Sequence, residues 1–176
     1  QHLKDFARQT GDHVYGEVDV NQAVEASVEI LRGLILRSTG HFQLDCAPDL
    51  PKIHGNSVHL EQVLVNLITN ACQALRSHQE KIRVVTRWES DSKRVLLSVT
   101  DEGEGITDEN MQHIMDPFYT TKREHGGTGL GLSISYNLIK NFGGELKISS
   151  TPGSGTSVEV WLPVTSRPVT GVQQGD

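Results

Sequence analysis

The chain has 176 residues, enough for one domain with an appended helix or tail. Sixteen Lys and Arg against 22 Asp and Glu leave a net charge of −6 with His neutral, which argues against a broad surface for nucleic acid or anionic membrane. Apolar residues at 36% and aromatics at 5% are lean for a globular chain but too many to force disorder. Cys46 and Cys72, the two cysteines, share no CxxC spacing and cannot form a metal cluster alone, so buried free thiols are the default reading and a single disulfide the minor one. No apolar run approaches about 18 residues and no signal peptide opens the chain, so the sequence reads as a soluble, cytoplasmic domain.

In chain order, Leu3, Phe6 and Ala7 share one face of a short helical pattern that stops at Thr10-Gly11. Tyr15 to Val20 alternates like a short strand, and Asn21 is placed to cap a helix carrying Val24, Val28, Leu31 and Ile35. His41 to Cys46 reads as a half-buried strand closed by Pro48 and Pro51. A long helix runs from Gly55-Asn56-Ser57 to near Arg76, with Leu60, Val63, Leu64, Leu67, Ile68, Ala71 and Leu75 as its apolar stripe. Lys81 to Glu89 and Arg94 to Asp101 form a hairpin across Ser90 to Lys93. Thr107 to Met115 is a short helix with Ile106 and Met111 placed for a hydrophobic staple, ended by Asp116-Pro117. Residues 119–129 are polar and glycine-bearing, which predicts a mobile loop. Leu130 to Phe142 is a helix closed by Gly143-Gly144, and Glu145 to Ser149 pairs with Thr156 to Leu162 in a last hairpin. Two hairpins among helices predict an α+β two-layer sandwich with a mixed sheet of five strands and three main helices on one face.

Three places can carry chemistry. Asn66 and Asn70 stand four apart, about 40° apart on the helical wheel, with Gln62 and Gln73 flanking them. Asparagine is a poor helix-interior residue, and its carbonyl can hold a hard cation such as Mg²⁺. Asp101-Glu102-Gly103-Glu104-Gly105 ends a strand, so a rigid carboxylate stands beside backbone that a flat ligand can approach closely; a capped turn is the ordinary alternative. Gly126-Gly127-Thr128-Gly129-Leu130-Gly131-Leu132 feeds a helix N-terminus, a ready anion site, with Thr120, Thr121 and Lys122 just before it. No GK[ST] follows, so it is not a Walker A loop, and no strand precedes it as a dinucleotide fingerprint requires.

In this order the motifs resemble the ATP-binding catalytic domain of two-component sensor histidine kinases, within the Bergerat-fold (GHKL) superfamily, over residues 15–163. EQVLVNLITNACQAL (61–75) looks like the N box, DEGEGI (101–106) the G1 box, DPFYTTK (116–122) the F box, GGTGLGLSI (126–134) the G2 box and GSGT (153–156) the G3 turn. The wording NLITNACQA with FYTTK is similar to the nitrogen-regulation and dicarboxylate-sensing branch.

The resemblance implies ATP and Mg²⁺ as ligands beneath a mobile lid. By it, Asp101 binds the adenine amine between Gly103 and Gly105, with Thr156 beside it. Asn70 holds Mg²⁺, and Asn66 is a catalytic residue in the phosphate and metal environment. Phe118 anchors the lid, while Lys122 and the backbone of Gly127, Gly129, Leu130 and Gly131 contact phosphates. Gln73 stands where many members carry lysine, and Asn56 where an aspartate often caps the helix. Hydrolytic relatives carry a glutamate base where Asn66 stands, and an amide cannot abstract a proton from water, so the expected chemistry is transfer to a histidine. None of the eight histidines sits in an acceptor pattern. The acceptor is therefore expected on a dimerisation domain of the same protein, with a response-regulator receiver domain as the next partner and neither nucleic acid nor membrane in direct contact. The expected organisation is 1–10 as the end of a dimerisation helix, 11–163 as the catalytic domain and 164–176 as a disordered tail, in a cytoplasmic protein or the cytoplasmic part of a membrane-bound sensor. An ATPase or serine kinase of the same fold, or a nucleotide-binding scaffold without catalysis, are the alternatives.

Overall fold

The computed structural model describes residues 15–120 and 128–164. The segment expected to end a dimerisation helix, the part of the expected lid that contains Lys122 and Gly127, and the residues from 165 onward lie outside the described residues.

The elements are β1 (Gly16–Val18), α1 (Val20–Ser38), β2 (His41–Cys46), β3 (Ile53–Gly55), α2 (Ser57–Ala74), β4 (Lys81–Glu89), β5 (Arg94–Asp101), α3 (Asp108–Met111), α4 (Gly131–Asn141), β6 (Glu145–Thr151) and β7 (Gly155–Pro163). The main sheet runs β2-β4-β5-β7-β6; β2 joins β4 in parallel and every other pair is antiparallel. The mixed sheet of five strands and the three main helices are as expected. A second, two-stranded sheet of β1 and β3 was not foreseen, because three residues of β3 carry too little periodicity to read.

α2 lies at the centre of the helical layer, packed between α1 and α4 and against β5. Its stripe of Leu60, Val63, Leu64, Leu67, Ile68 and Ala71 is buried, as are Ile82 and Val84 of β4, Val95, Leu97 and Val99 of β5, and Val160 and Leu162 of β7. Asn56 caps α2, its side-chain oxygen accepting from the N–H of Val58 and His59.

Two local expectations are corrected. Asp19, not Asn21, caps α1, accepting from Gln22 N–H. Asn21 instead sits in the first turn and ties it to the sheet, donating to Ala47 O at 2.9 Å and accepting from Thr86 Oγ1 at 2.7 Å. The helix expected over 107–115 keeps only Asp108–Met111, capped by Thr107, and proceeds through turns in which His113 Nδ1 meets Asp116 Oδ2 at 2.9 Å. Cys46 and Cys72 are free thiols.

Candidate functional site

The period of two along β5 explains how a carboxylate comes to stand in the interior. Val95, Leu97, Val99 and Asp101 are successive residues of one buried row, so Asp101 is the last position of the face that points at the helices. It is 6% exposed, its Oδ1 accepts from Gly103 N–H at 2.9 Å, and Thr156 of β7 lies directly opposite it in register. Ser150 Oγ accepts from Ile106 N–H at 2.8 Å and meets Thr156 Oγ1 at 2.9 Å, which joins the turn after Asp101 to the edge hairpin.

A cavity of about 350 Å³ opens above this floor. Val99, Val158 and Ile148 give it an apolar base, and one edge of α2 gives it amides: Asn66, Asn70 and Gln73 all line it. Asn66 and Asn70 reach it because α2 must turn its leucine stripe to the sheet, leaving the adjoining edge facing α4 and the loop. Asp101, Gly105, Gly129, Gly131 and Thr156 complete the set of expected residues that the structure brings together here.

Asn66 is held in place. Its Nδ2 donates to Ser135 Oγ of α4 at 2.8 Å, and its Oδ1 rests where a β-carbon on Gly131 would lie, 2.1 Å away. Asn70 is exposed on the same edge, and its side-chain amide has no hydrogen-bond partner among the described residues. No group of three or more His, Cys, Asp or Glu is arranged for a metal among the described residues. A cation here would therefore take amide oxygen from the protein and the rest of its shell from phosphate and water, as Mg²⁺ does.

Three expected residues stand apart from the cavity lining. Gly103 is buried behind it. Leu130 occupies the N-cap position of α4 without a side-chain cap bond. Phe118 is 64% exposed, and its backbone, at φ 68°, donates its N–H to Gly129 O at 2.9 Å. The aromatic residue on the cavity wall is its neighbour Tyr119, whose hydroxyl donates to Asn110 Oδ1 at 2.7 Å. Tyr119, Asn110, Glu104 and Ser135 were missed from sequence; a tyrosine beside a phenylalanine, with a hydroxyl that needs a partner, was the available signal for the first.

A family model for the histidine kinase-, DNA gyrase B-, and HSP90-like ATPases matches residues 55–166, the span holding every one of these side chains. The chain belongs to that family.

Among its relatives, Sporulation kinase E of Bacillus subtilis (strain 168) is 35% identical over 151 residues, covering 86% of this chain and 20% of that protein. Sensor histidine kinase ZraS of Escherichia coli (strain K12) is 37% identical over 153 residues, covering 84% of this chain and 30% of that one. The C4-dicarboxylate transport sensor protein DctB of Rhizobium meliloti (strain 1021) is 34% identical over 160 residues, covering 91% and 25%. Of solved structures, a nucleotide-free catalytic domain of histidine kinase ThkA superposes with a TM-score of 0.75 at 26% identity, covering 87% of this chain and 99% of that one. The chain thus spans a fifth to a third of the curated sensor kinases it matches, and nearly all of a kinase catalytic domain. It is an ATP-binding catalytic domain of the histidine-kinase type. No helix among the described residues is long and apolar enough to cross a membrane.

Proposed function

We propose that this domain positions Mg-ATP for transfer of the γ-phosphoryl group to a histidine on a dimerisation domain of the same protein, and that the phosphoryl group passes next to an aspartate on a response-regulator receiver domain. The observation that carries this reading is the convergence of Asn66, Asn70, Asp101, Gly105, Gly129, Gly131 and Thr156 on one cavity. In it, the buried Asp101 carboxylate accepts a hydrogen bond from the exocyclic amine of adenine, with Thr156 at its side. The glycine-bearing start of α4 turns backbone N–H groups and the positive end of a helix toward the phosphates, and Lys122 and Gly127, which precede it in the sequence, are assigned phosphate contacts by the same reading. Asn70, with Asn66 beside it, would hold Mg²⁺. Bound there, the cation neutralises charge on the triphosphate.

Transfer rather than hydrolysis follows from the same residues. The carboxylates on the cavity wall among the described residues, Asp101 and Glu104, both belong to the DEGEG segment, whereas the polar residues that α2 presents there, Asn66, Thr69, Asn70 and Gln73, are amides and a hydroxyl. Asn66, fixed by Ser135, can orient a phosphate or a metal-bound ligand but cannot take a proton from water. The cytoplasmic side of a sensor is the setting this reading requires.

Calorimetric titration of the chain with Mg-ATP, followed by incubation with a dimerisation domain carrying the acceptor histidine, tests it. Binding that Asp101→Asn and Asn70→Ala each weaken by about tenfold or more, with label passing to the histidine and little phosphate released, is the expected result. Undiminished binding by both variants, or sustained phosphate release without an acceptor, would replace it with a scaffold or a hydrolase.

A further inference from the structure

Behind the cavity three stretches of backbone lie against one another: the end of α2, the DEGEG turn and the turn between β6 and β7. Glu104 N–H donates to Ala74 O at 2.9 Å, and Gly153 N–H donates to Glu104 O at 2.7 Å. The contact is tight enough that a β-carbon on Gly103 would stand 2.3 Å from Ala74 O. Ala74, Glu104 and Gly105 line the cavity, so any change in the spacing of these layers changes the space between the turns that enclose the base.

One side chain joins all three layers from outside. Arg76, just past the α2 C-cap Leu75, sends Nη2 to Gly153 O at 3.2 Å and to Glu102 O at 3.4 Å. Its Nε and Nη2 fork onto Glu80 Oε1 at 2.9 and 2.7 Å, and Glu80 Oε2 takes the Arg76 N–H at 2.6 Å. These bonds from Arg76 hold the Glu80 carboxyl below its ordinary range. Glu102 is tied down in turn, its N–H donating to Lys81 O at 3.1 Å and its Oε2 accepting from Lys81 N–H at 3.0 Å. An ion pair whose arginine is half-exposed contributes little by itself. What distinguishes this pair is that the planar fork, once fixed by Glu80, has one Nη2 hydrogen left, shared between main-chain carbonyls of two separate turns.

We propose that Arg76, oriented by Glu80, is a positioning residue for nucleotide binding, setting the gap between the DEGEG turn and the β6–β7 turn and hence the affinity for the adenosine half of the ligand. The inference rests on the reading of the cavity as the ATP site. Arg76 itself does not line the cavity. Its effect is therefore equal for adenosine and for Mg-ATP, whereas a residue acting on the phosphates affects Mg-ATP alone.

The test titrates this chain with Mg-ATP and with adenosine, comparing wild type, Arg76→Ala, Glu80→Gln and the charge-swapped Arg76→Glu/Glu80→Arg pair, and records backbone amide exchange without ligand. Arg76→Ala should weaken both ligands by a common factor of about ten, with Glu80→Gln giving a smaller loss. The swapped pair should stay weak, because a glutamate at 76 cannot donate to the two carbonyls. Exchange at the amides of Glu104 and Gly153 should quicken in Arg76→Ala while those of Leu97 and Val160 stay protected. Wild-type affinity in Arg76→Ala, full recovery in the swapped pair, or a loss confined to Mg-ATP overturns the inference and leaves the site assignment standing. A wild-type chain that binds no Mg-ATP overturns both.

Discussion

Asn66 and Ser135 meet across the seam between α2 and α4, the asparagine amide donating to the serine hydroxyl at 2.8 Å with Ser135 only 1% exposed. The contact fixes which end of the amide faces the glycine-bearing start of α4. Ser135→Ala removes the acceptor and leaves a partly buried N–H unpaired, which costs about 1–3 kcal/mol. Expected are a lower melting temperature and Mg-ATP affinity reduced several-fold. Unchanged affinity in a variant that is measurably less stable would show that the Asn66 orientation does not matter to the ligand.

Gly131 is the other restraint on Asn66. Alanine at a helical position is favoured over glycine by about 1 kcal/mol, so helix propensity alone predicts a more stable Gly131→Ala. The new β-carbon, however, would lie 2.1 Å from Asn66 Oδ1, so the side chain or the helix must move. The expected outcome is weakened Mg-ATP binding whatever the sign of the stability change, read by calorimetry beside thermal melts. Retained affinity would mean that Asn66 can shift without consequence.

How much of this site was legible depends on range along the chain. The Asn66–Asn70 edge, the Asp101 turn and the Gly129–Gly131 helix start are local patterns, and their convergence in one cavity rested on recognising their order. Four of the five strands of the main sheet were readable as pairs because hairpins join neighbours, so β4 with β5 and β6 with β7 follow from short turns, whereas β2 showed its alternation but not its parallel partner β4. Ser135, Asn110 and Arg76 were not readable. Each acts on a partner supplied by the fold: Ser135 on a residue 69 positions away, Arg76 on Gly153 at a separation of 77. Asn110 lies only nine residues from Tyr119, but it sits within a four-residue helix, too short for periodicity to give a direction. The resemblance named Phe118 as the lid anchor; Phe118 is exposed, and the neighbouring Tyr119, which the motif did not single out, lines the cavity.

The turn that closes on Asp101 supplies a stability test with an internal control. Gly155 has φ 106°, and a β-carbon on it would stand 1.9 Å from Asp101 O; Gly153 two residues earlier has φ 80° with nothing within 4 Å. Gly153→Ala meets only the left-handed backbone penalty of about 1–2 kcal/mol. Gly155→Ala adds a collision with main chain that cannot swing aside, and should lose about 3 kcal/mol or more, lowering Tm by roughly 6–12 °C. Equal losses in the two variants would show that the β7 start relaxes away from β5 at little cost.

Acid and alkali should act on different residues. Hydrogen bonds from Arg87 and Arg83 hold the Asp45 carboxyl below its ordinary range, and Arg76 does the same for Glu80. A carboxyl with a lowered folded pKa stabilises the fold above its unfolded value of about 4 and loses that contribution as pH falls through the folded value. Burial pushes the Cys46 and Cys72 thiols up. Their contribution is complete below the unfolded value of about 8.5 and is lost as pH rises from there through the folded values. Urea melts across pH should therefore show a plateau from roughly pH 5 to 8 with a decline on each side, and Asp45→Asn should flatten the acid limb alone. At neutral pH both thiols stay protonated, so Cys72, 6% exposed on the core side of α2, should resist an aromatic disulfide reagent until the chain unfolds. Rapid labelling of Cys72 in the native protein at neutral pH would show that α2 opens away from α1 far more readily than its packing implies.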